Sequence, residues 1–237
     1  MSIFDTSYLT IITYPRQSGG KFLINALGLS DDAVFQDSQL AARQIEGILS
    51  QEDKFNILLE KISDTRIWND LELGCQQLYG FFSQRYLTGT VTESMLHPVI
   101  RELDASKKRF FLASHRADML YSELRVWSSP SMIFFYNSES FIKHRFLNAE
   151  WDLVCSSQVY YDPYYEQYTE SIAEIQSDIN DACSRLRGIP WNTEWYYDED
   201  TTLLEIQKIY SILGLGSFNE GIIREYYRLW MKKIMPL

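Results

Sequence analysis

The sequence predicts an α/β domain whose central, mostly parallel sheet lies between layers of helices. Continuous apolar runs at Ile11–Thr13, Phe110–Ser114 and Met132–Tyr136 are rich in β-branched or aromatic residues, as is typical of strands buried on both faces. Amphipathic helical patterns separate these runs, and the alternation of strand and helix favours parallel βαβ units. A turn sequence, Ser18–Lys21, stands between the first run and the first helical pattern.

The composition is that of one folded domain spanning residues 1–237. Of the 237 residues, 46% are hydrophobic and 23% are charged, so the chain is long and apolar enough to bury a substantial core. The net charge of −10 repels nucleic-acid backbones and anionic membrane surfaces. We therefore expect neither as a partner, and any phosphate that this protein binds has to be met by a local group of cations.

The cysteines and the N-terminal segment indicate a cytoplasmic location. Cys75, Cys155 and Cys183 are far apart and odd in number, which argues against a disulfide framework and against a metal site. The sequence has neither a signal peptide nor an apolar run of about 20 residues that could cross a membrane. The oligomeric state has no signature in the sequence.

The Ser18–Lys21 turn has the features of a phosphate loop. Two glycines allow a tight turn that points backbone amides at an anion, and the following helix presents the positive end of its dipole. The nucleoside triphosphatase pattern GxxxxGK[ST] is not met, because Pro15 replaces its first glycine and Phe22 replaces its magnesium-binding hydroxyl. Hydrolysis and kinase chemistry are therefore disfavoured. A glycine turn without any ligand is the alternative.

The segment from Asp31 to Ser106 is predicted to be helical throughout. Phe55, Leu58, Leu59 and Ile62 follow a helical period. We expect this large helical insertion to cover one face of the sheet.

Polar residues follow the predicted strands. His115 and Asn137 end the second and third runs, and a fourth β-prone run begins at Thr193 and ends at Asp198. Ligands of open parallel sheets bind beyond the carboxyl ends of the strands. These residues are therefore expected to converge with the Ser18–Lys21 turn, although Asp198 could instead cap the next helix.

Three further helices are predicted in the second half of the chain. One runs from about Glu166 to Arg187 and stops at Gly188, one begins at Thr201 and stops at Gly214, and the last spans about Asn219 to Lys233. Ser138 is a candidate cap for an additional helix that begins beside the third strand.

Four segments in this order resemble the sulfotransferase family that uses 3′-phosphoadenosine 5′-phosphosulfate (PAPS). TYPRQSGGKFL resembles the family's TYP[KR]SGTTWL loop with one extra residue, and FFLASH resembles an apolar strand that ends in KTH. MIFFYNSESFIKH is similar to a strand followed by RNPxDxxxS, and WYYDEDTTLLEIQKIYSILGL is similar to a YEDL stretch with its helix. The resemblance implies a fold of the P-loop type and transfer of a sulfuryl group from PAPS to a hydroxyl.

The resemblance also assigns roles in the loop. It implies that Ser18–Lys21 cradles the 5′-phosphosulfate together with Arg16 and the inserted Gln17, and that Phe22 takes the place of the tryptophan that stacks on adenine. Sulfuryl transfer needs a cation where negative charge develops on the leaving group. Arg16 and Lys21 are the candidates for that cation.

The resemblance implies that His115 is the general base, since the acceptor hydroxyl has to lose its proton. Asn137 lies in the segment that binds the 3′-phosphate in the family. The family's arginine of that segment is replaced by Tyr136 and its serine falls at His144. We expect Lys143, His144 or Arg145 to supply the missing charge, with Arg116 as the alternative source.

The expected partner is a hydroxyl acceptor, either a small molecule or a glycan. PAPS is the expected donor and PAP, its desulfated form, is the expected product. No metal is expected to take part. A catalytically inactive protein on the same fold that binds a nucleotide or a partner is the first alternative. It is supported by Tyr136 and by Ala113, which replaces the family's lysine before His115. A nucleotide-dependent kinase that uses Lys21 is the second alternative.

Overall fold

The computed structural model describes slightly less than half of the chain. The described residues are 9–14, 18–34, 50–63, 108–114, 131–136, 138, 140–141, 176–177, 180–181, 183–185 and 188–234. Much of the predicted helical insertion lies outside these residues.

Five strands of the described residues form one parallel sheet. The strands are β1 (Leu9–Thr13), β2 (Ala33–Val34), β3 (Arg109–Ser114), β4 (Ser131–Tyr136) and β5 (Ile189–Asn192). Their order is β2-β3-β1-β4-β5, and every neighbouring pair is parallel. The prediction of an α/β protein with a parallel sheet is therefore confirmed.

The central strands are apolar on both faces. Ile11 and Ile12 of β1 and Phe134 and Phe135 of β4 are all 0% exposed, although successive side chains of a strand point to opposite faces. Burial on both faces is the reason that these strands appear in the sequence as continuous apolar runs.

In the described ranges, four α-helices with defined bounds accompany the sheet. They are α1 (Gly20–Gly28), α2 (Gln51–Ser63), α3 (Glu199–Leu213) and α4 (Glu220–Ile234). The predicted helices at these positions are confirmed, and the described residues between 176 and 185 are also helical. α3 ends at Gly214, whose φ of 64° is left-handed, and Asp198 caps its start by accepting a hydrogen bond from the Thr201 amide at 2.7 Å.

One apolar cluster joins the sheet to all four helices. It contains Ile12 and Phe135 of the sheet, Leu27 of α1, Phe55 of α2 and Ile206 of α3, together with the aromatic side chains of α4. Buried hydrogen bonds tie α1 to its neighbours, since Tyr210 Oη donates to the Ala26 carbonyl at 2.8 Å and Asn25 Nδ2 donates to Tyr226 Oη at 3.0 Å. A second helical layer, which would complete the predicted three-layer arrangement, stays a prediction.

The insertion from Asp31 is not helical throughout, contrary to the prediction. Ala33 and Val34 form β2, which pairs with Arg109 and Phe110 at the edge of the sheet. A two-residue strand is too short to show a period of two, so hydrophobic patterning could not reveal it. The start of the strand is fixed by a turn in which the Ala33 amide donates to the Ser30 carbonyl at 3.1 Å.

The last strand also lies earlier in the chain than predicted. β5 begins at Ile189, and the run predicted as a strand from Thr193 is instead a 3₁₀ helix, Thr193–Tyr197. Asn192 ends β5 because its side chain accepts from the Glu194 amide at 3.0 Å and so caps that helix. In the sequence, Pro190 argues against a strand at this position. Proline is nevertheless tolerated here, because β5 lies at the edge of the described sheet.

Candidate functional site

The carboxyl ends of four strands lie at one edge of the sheet. Thr13 of β1 is in register with Ser114 of β3 and with Phe134 of β4, and Tyr136 of β4 is in register with Asn192 of β5. The last strand ends at Asn192 and not at Asp198, so Asp198 does not lie at a strand end, and the convergence of the predicted site residues stays a prediction. His115 and Asn137 directly follow β3 and β4 in the sequence, but both residues lie outside the described part of the chain.

The strand order makes the end of β1 a topological switch point. From β1 the chain passes to β2 on one side of the sheet, whereas from β3 it crosses β1 to reach β4 on the other side. In parallel sheets, whose crossovers are almost always right-handed, connections that leave in opposite directions lie on opposite faces of the sheet. Ligands of open α/β sheets bind at such switch points.

The Ser18–Lys21 turn lies at this switch point. Ser18 is 1% exposed, Gly19 has a left-handed backbone (φ 79°, ψ 13°), and α1 begins at Gly20. The Gly19 carbonyl accepts the first hydrogen bond of the helix, from the Phe22 amide at 3.0 Å. Lys21 is half-buried in the first turn. The predicted sequence of strand, glycine turn and helix is therefore confirmed.

Aromatic rings enclose both glycines of the turn. A β-carbon at Gly19 would lie 2.9 Å from Tyr196 Cε2 and 3.0 Å from Trp230 Cζ2, and one at Gly20 would lie 2.3 Å from the Tyr14 ring. No side chain fits at such distances unless a ring moves. Close packing therefore requires glycine at both positions, independently of any ligand.

Phe22 is a core residue. Its ring is 0% exposed, stacks on Trp230 at 4.4 Å and on Tyr226 at 5.2 Å, and meets Tyr196 edge-on at 5.6 Å. A ring that is buried in this way has no exposed face for a base. The role of adenine platform, which the resemblance implies for Phe22, is therefore corrected to packing in the core.

Tyr196 contacts the turn directly, which the sequence did not reveal. Its hydroxyl donates to the Gly19 carbonyl at 3.0 Å, and the hydroxyl of Tyr227 donates to the Tyr196 carbonyl at 2.6 Å. Burial raises the pKa of Tyr227 to about 12, with smaller contributions from Glu199 and Asp198. The aromatic run from Trp195 was the available signal, but its β-prone composition pointed to a strand and not to contact with the turn.

Hydroxyl groups and a carboxylate surround the ends of β4 and β5. The Ser138 amide donates to Thr193 Oγ1 at 3.0 Å, and Ser140 Oγ donates to Glu194 at 2.7 Å. Hydrogen bonds from Ser138 and Ser140 hold the pKa of the Glu194 carboxyl below its usual value. Ser138 Oγ also accepts from the Phe141 amide at 3.1 Å, which confirms its predicted role as a helix cap.

Tyr136 ends β4; in the resemblance described above, an arginine corresponds to this position. A hydrogen bond with Cys183 and burial raise the pKa of Tyr136 to about 12, so its side chain is neutral at physiological pH. Among the described residues of this edge, Lys21 supplies positive charge. The other predicted cations, Arg16, Lys143 and Arg145, lie outside the described residues, as do Gln17 and His144.

The acidic residues at the start of α3 cap that helix and pair with arginines of α4. Hydrogen bonds from Thr201 lower the pKa of Asp198, consistent with its predicted capping role. Glu199 accepts from Arg228 Nε at 2.8 Å and also pairs with Arg224, and these partners, Arg228 first, lower its pKa. Asp198 and Glu199 are therefore engaged in holding α3 and α4.

The described residues contain neither a cluster of metal ligands nor a membrane-spanning helix. Within those residues, no group of three or more histidine, cysteine, aspartate or glutamate side chains is arranged to hold a metal ion. None of the helices in the described ranges is both long enough and apolar enough to cross a membrane.

Comparisons of the chain with models of protein families, with curated proteins and with solved structures found no match.

Proposed function

We propose that this protein binds PAPS at the Ser18–Lys21 turn and transfers its sulfuryl group to a hydroxyl of a small molecule or a glycan. The observation that carries the proposal is the position of the turn. A left-handed glycine opens a helix at the end of the central strand, at the switch point of a parallel sheet. Phosphate groups bind at this place in α/β folds, where helix amides and the helix dipole favour an anion.

The proposed reaction needs only groups that the sequence supplies near this edge. The acceptor oxygen attacks sulfur, the bond between sulfur and the bridging phosphate oxygen breaks, and PAP leaves. His115 takes the proton of the acceptor hydroxyl, and Lys21 and Arg16 stabilise the charge that develops on the bridging oxygen. Positioning and electrostatics thus provide most of the catalysis, as in phosphoryl transfer.

The remaining parts of the proposal concern the nucleotide. Gln17 extends the turn that receives the 5′-phosphosulfate, and Asn137 and the basic segment of Lys143, His144 and Arg145 receive the 3′-phosphate. Phe22 has no part in binding the base, because its ring is buried.

A thermal-shift titration followed by a transfer assay tests the proposal. We expect PAP to raise the melting temperature, because a ligand that binds only the folded state stabilises it. The variant His115→Ala should keep this shift and lose transfer from PAPS to a panel of hydroxyl acceptors. His97→Ala, which changes a histidine of the predicted helical insertion, is the control and should retain both. The proposal fails if neither PAP nor PAPS shifts the melting temperature at millimolar concentration.

A protein that binds the nucleotide without turnover is the second candidate. Tyr136 favours it, because a neutral side chain stands at the position of the family's arginine. Binding of PAP with no transfer to any acceptor would select this candidate. Stabilisation by ATP and magnesium but not by PAP would select a kinase, against which the buried Phe22 in place of a hydroxyl residue counts.

A further inference from the structure

Gly19 is held in its left-handed conformation by residues that are distant in the sequence. Tyr196 belongs to the 3₁₀ helix after β5, and Trp230 belongs to α4. Both rings lie where a side chain of Gly19 would be, at 2.9 and 3.0 Å from its β-carbon position. The backbone of the turn therefore rests on a surface built by the other end of the chain.

The hydroxyl of Tyr196 adds a direct hydrogen bond to this surface. It donates to the Gly19 carbonyl at 3.0 Å, and the same carbonyl accepts the first amide hydrogen bond of α1, from Phe22. A peptide group that is bonded from two sides cannot rotate freely. The bond therefore fixes the plane of the peptide that joins Gly19 to Gly20, whose amide is the first of α1.

Tyr196 is itself rigidly placed. It is 0% exposed, and its ring packs against Trp230 at 4.8 Å and Phe141 at 5.3 Å. Tyr227 Oη holds its backbone carbonyl at 2.6 Å. A side chain with fixed surroundings can transmit its position to the group that it contacts.

We propose that Tyr196 is a positioning residue of the Ser18–Lys21 turn, holding the Gly19 peptide in the orientation that receives the phosphosulfate end of the nucleotide. This inference rests on the proposed function. Without the hydroxyl the turn samples other orientations, and a ligand then has to order it on binding, which weakens affinity.

Tyr210 provides a matched control. Its hydroxyl, like that of Tyr196, donates to a backbone carbonyl of the segment that forms α1, but it binds Ala26, near the far end of the helix, at 2.8 Å. Tyr196→Phe and Tyr210→Phe therefore remove equivalent hydrogen bonds at opposite ends of one helix. A purely structural role predicts the same effect on ligand binding for both variants.

The experiment is calorimetric titration of the full chain and both variants with PAP. We expect Tyr196→Phe to bind PAP about three- to tenfold more weakly than wild type, the range that loss of one neutral hydrogen bond supports, while Tyr210→Phe binds as wild type does. In spectra of protein labelled with ¹⁵N-glycine, Tyr196→Phe should also shift the Gly19 and Gly20 amide signals.

Three outcomes would overturn the inference. If wild type binds PAP and the two phenylalanine variants bind within twofold of it, Tyr196 has no positioning role and the proposed function stands. If wild type does not bind PAP or PAPS, the proposed function fails and the inference falls with it. If Tyr196→Phe does not fold, Tyr227→Phe, which removes the hydrogen bond from Tyr227 to the Tyr196 carbonyl, replaces it, and wild-type affinity in that variant contradicts the inference.

Discussion

Lys54 is a buried cation that joins three elements. The side chain belongs to α2 and is 1% exposed. Its ammonium group donates to the Gly28 carbonyl at the end of α1 at 3.2 Å, to that of Ser30 at 2.5 Å and to that of Ala33 in β2 at 2.9 Å. A cation is favourable at the C-terminal end of a helix, where carbonyl groups lack partners within the helix.

Burial nevertheless raises the free energy of the charged form of Lys54. Desolvation, followed by repulsion from Lys108, lowers the pKa of Lys54 from 10.5 to about 8, although Asp31 and Asp32 act in the opposite direction. The folded chain therefore releases this proton near pH 8, whereas the unfolded chain holds it until about pH 10.5. Between these values the unfolded state binds more protons, so stability rises with pH.

We predict that the free energy of unfolding of wild type rises relative to that of Lys54→Met between pH 8 and pH 10.5. Over the whole interval the relative gain should reach about 3 kcal/mol. Urea denaturation at a series of pH values measures it. Ionisation of tyrosines in the unfolded state lowers stability near pH 10 in both proteins, so it cancels in the difference.

The control for this prediction is Lys208→Met, which removes a lysine whose side chain is 54% exposed on α3. It shows the effect of losing one lysine charge at the surface. A difference between wild type and Lys54→Met that stays constant from pH 8 to pH 10.5 would contradict the assignment of a buried ammonium. No sequence pattern indicated this role, because a lysine on a helix is most often a solvated residue.

At the scale of elements, α3 shows how a helix end is encoded locally. The Leu215 amide donates to the Tyr210 carbonyl at 2.8 Å and the Gly214 amide donates to the Ser211 carbonyl at 3.2 Å. This is a Schellman arrangement, in which a left-handed residue closes the helix. Gly214 has φ 64° and open space around its β-carbon position, so backbone conformation alone demands glycine.

Gly214→Ala is expected to lower the free energy of unfolding by about 1 kcal/mol, the energy by which a left-handed conformation is disfavoured for a residue with a β-carbon. Chemical denaturation measures the change. The control is Gly221→Ala in the first turn of α4, where the nearest atom to the β-carbon lies at 3.4 Å. That change should raise stability by roughly 0.5 kcal/mol. Equal effects of the two substitutions would contradict the explanation.

Elements whose signals lie within their own sequence could be predicted. β1, β3 and β4 are continuous apolar runs, and α3 carries its own start and stop signals in Asp198 and Gly214. β2 and β5 were not predicted, because neither has a strand pattern of its own. β2 is only two residues long, and β5 contains Pro190. An edge strand is defined by what it pairs with more than by its own pattern.

The residues of the candidate site likewise fall into those that could be predicted from local sequence and those that could not. The Ser18–Lys21 turn and the strand ends could be located from the sequence, because each follows an apolar run directly. The contact of Tyr196 with Gly19 could not, because it joins residues 177 positions apart. Periodicity shows which side of an element is apolar, but it does not identify the partner. The ligand role of Phe22 came from the resemblance alone, and its position in the core depends on Tyr226 and Trp230 of α4, at the other end of the chain.

At the scale of the whole molecule, β1 is the central strand of the described sheet. It lies at the centre of the sheet and pairs with β3 on one side and β4 on the other, whereas β2 is a two-residue strand at the edge. Thr10, Ile11 and Ile12 are 0% exposed.

We predict that the amides of Thr10, Ile11 and Ile12 exchange hydrogen far more slowly than those of Ala33 and Val34. Amides of central strands open only when large parts of the molecule unfold, whereas edge segments open locally. Hydrogen exchange followed by nuclear magnetic resonance measures the two sets together. Equal protection of β2 and β1 would show that the sheet opens as one unit and would contradict a central role for β1.

The packing of Phe22 also has a consequence for biosynthesis. Its ring is covered by Tyr226 and Trp230, and the neighbouring hydrogen bond between Asn25 and Tyr226 spans 201 positions. A ribosome adds about 5–20 residues per second, so on the order of 10–40 s separate the synthesis of α1 from that of its cover. Throughout this interval the nascent chain carries an apolar helix without its final packing, which is the kind of surface that chaperones recognise.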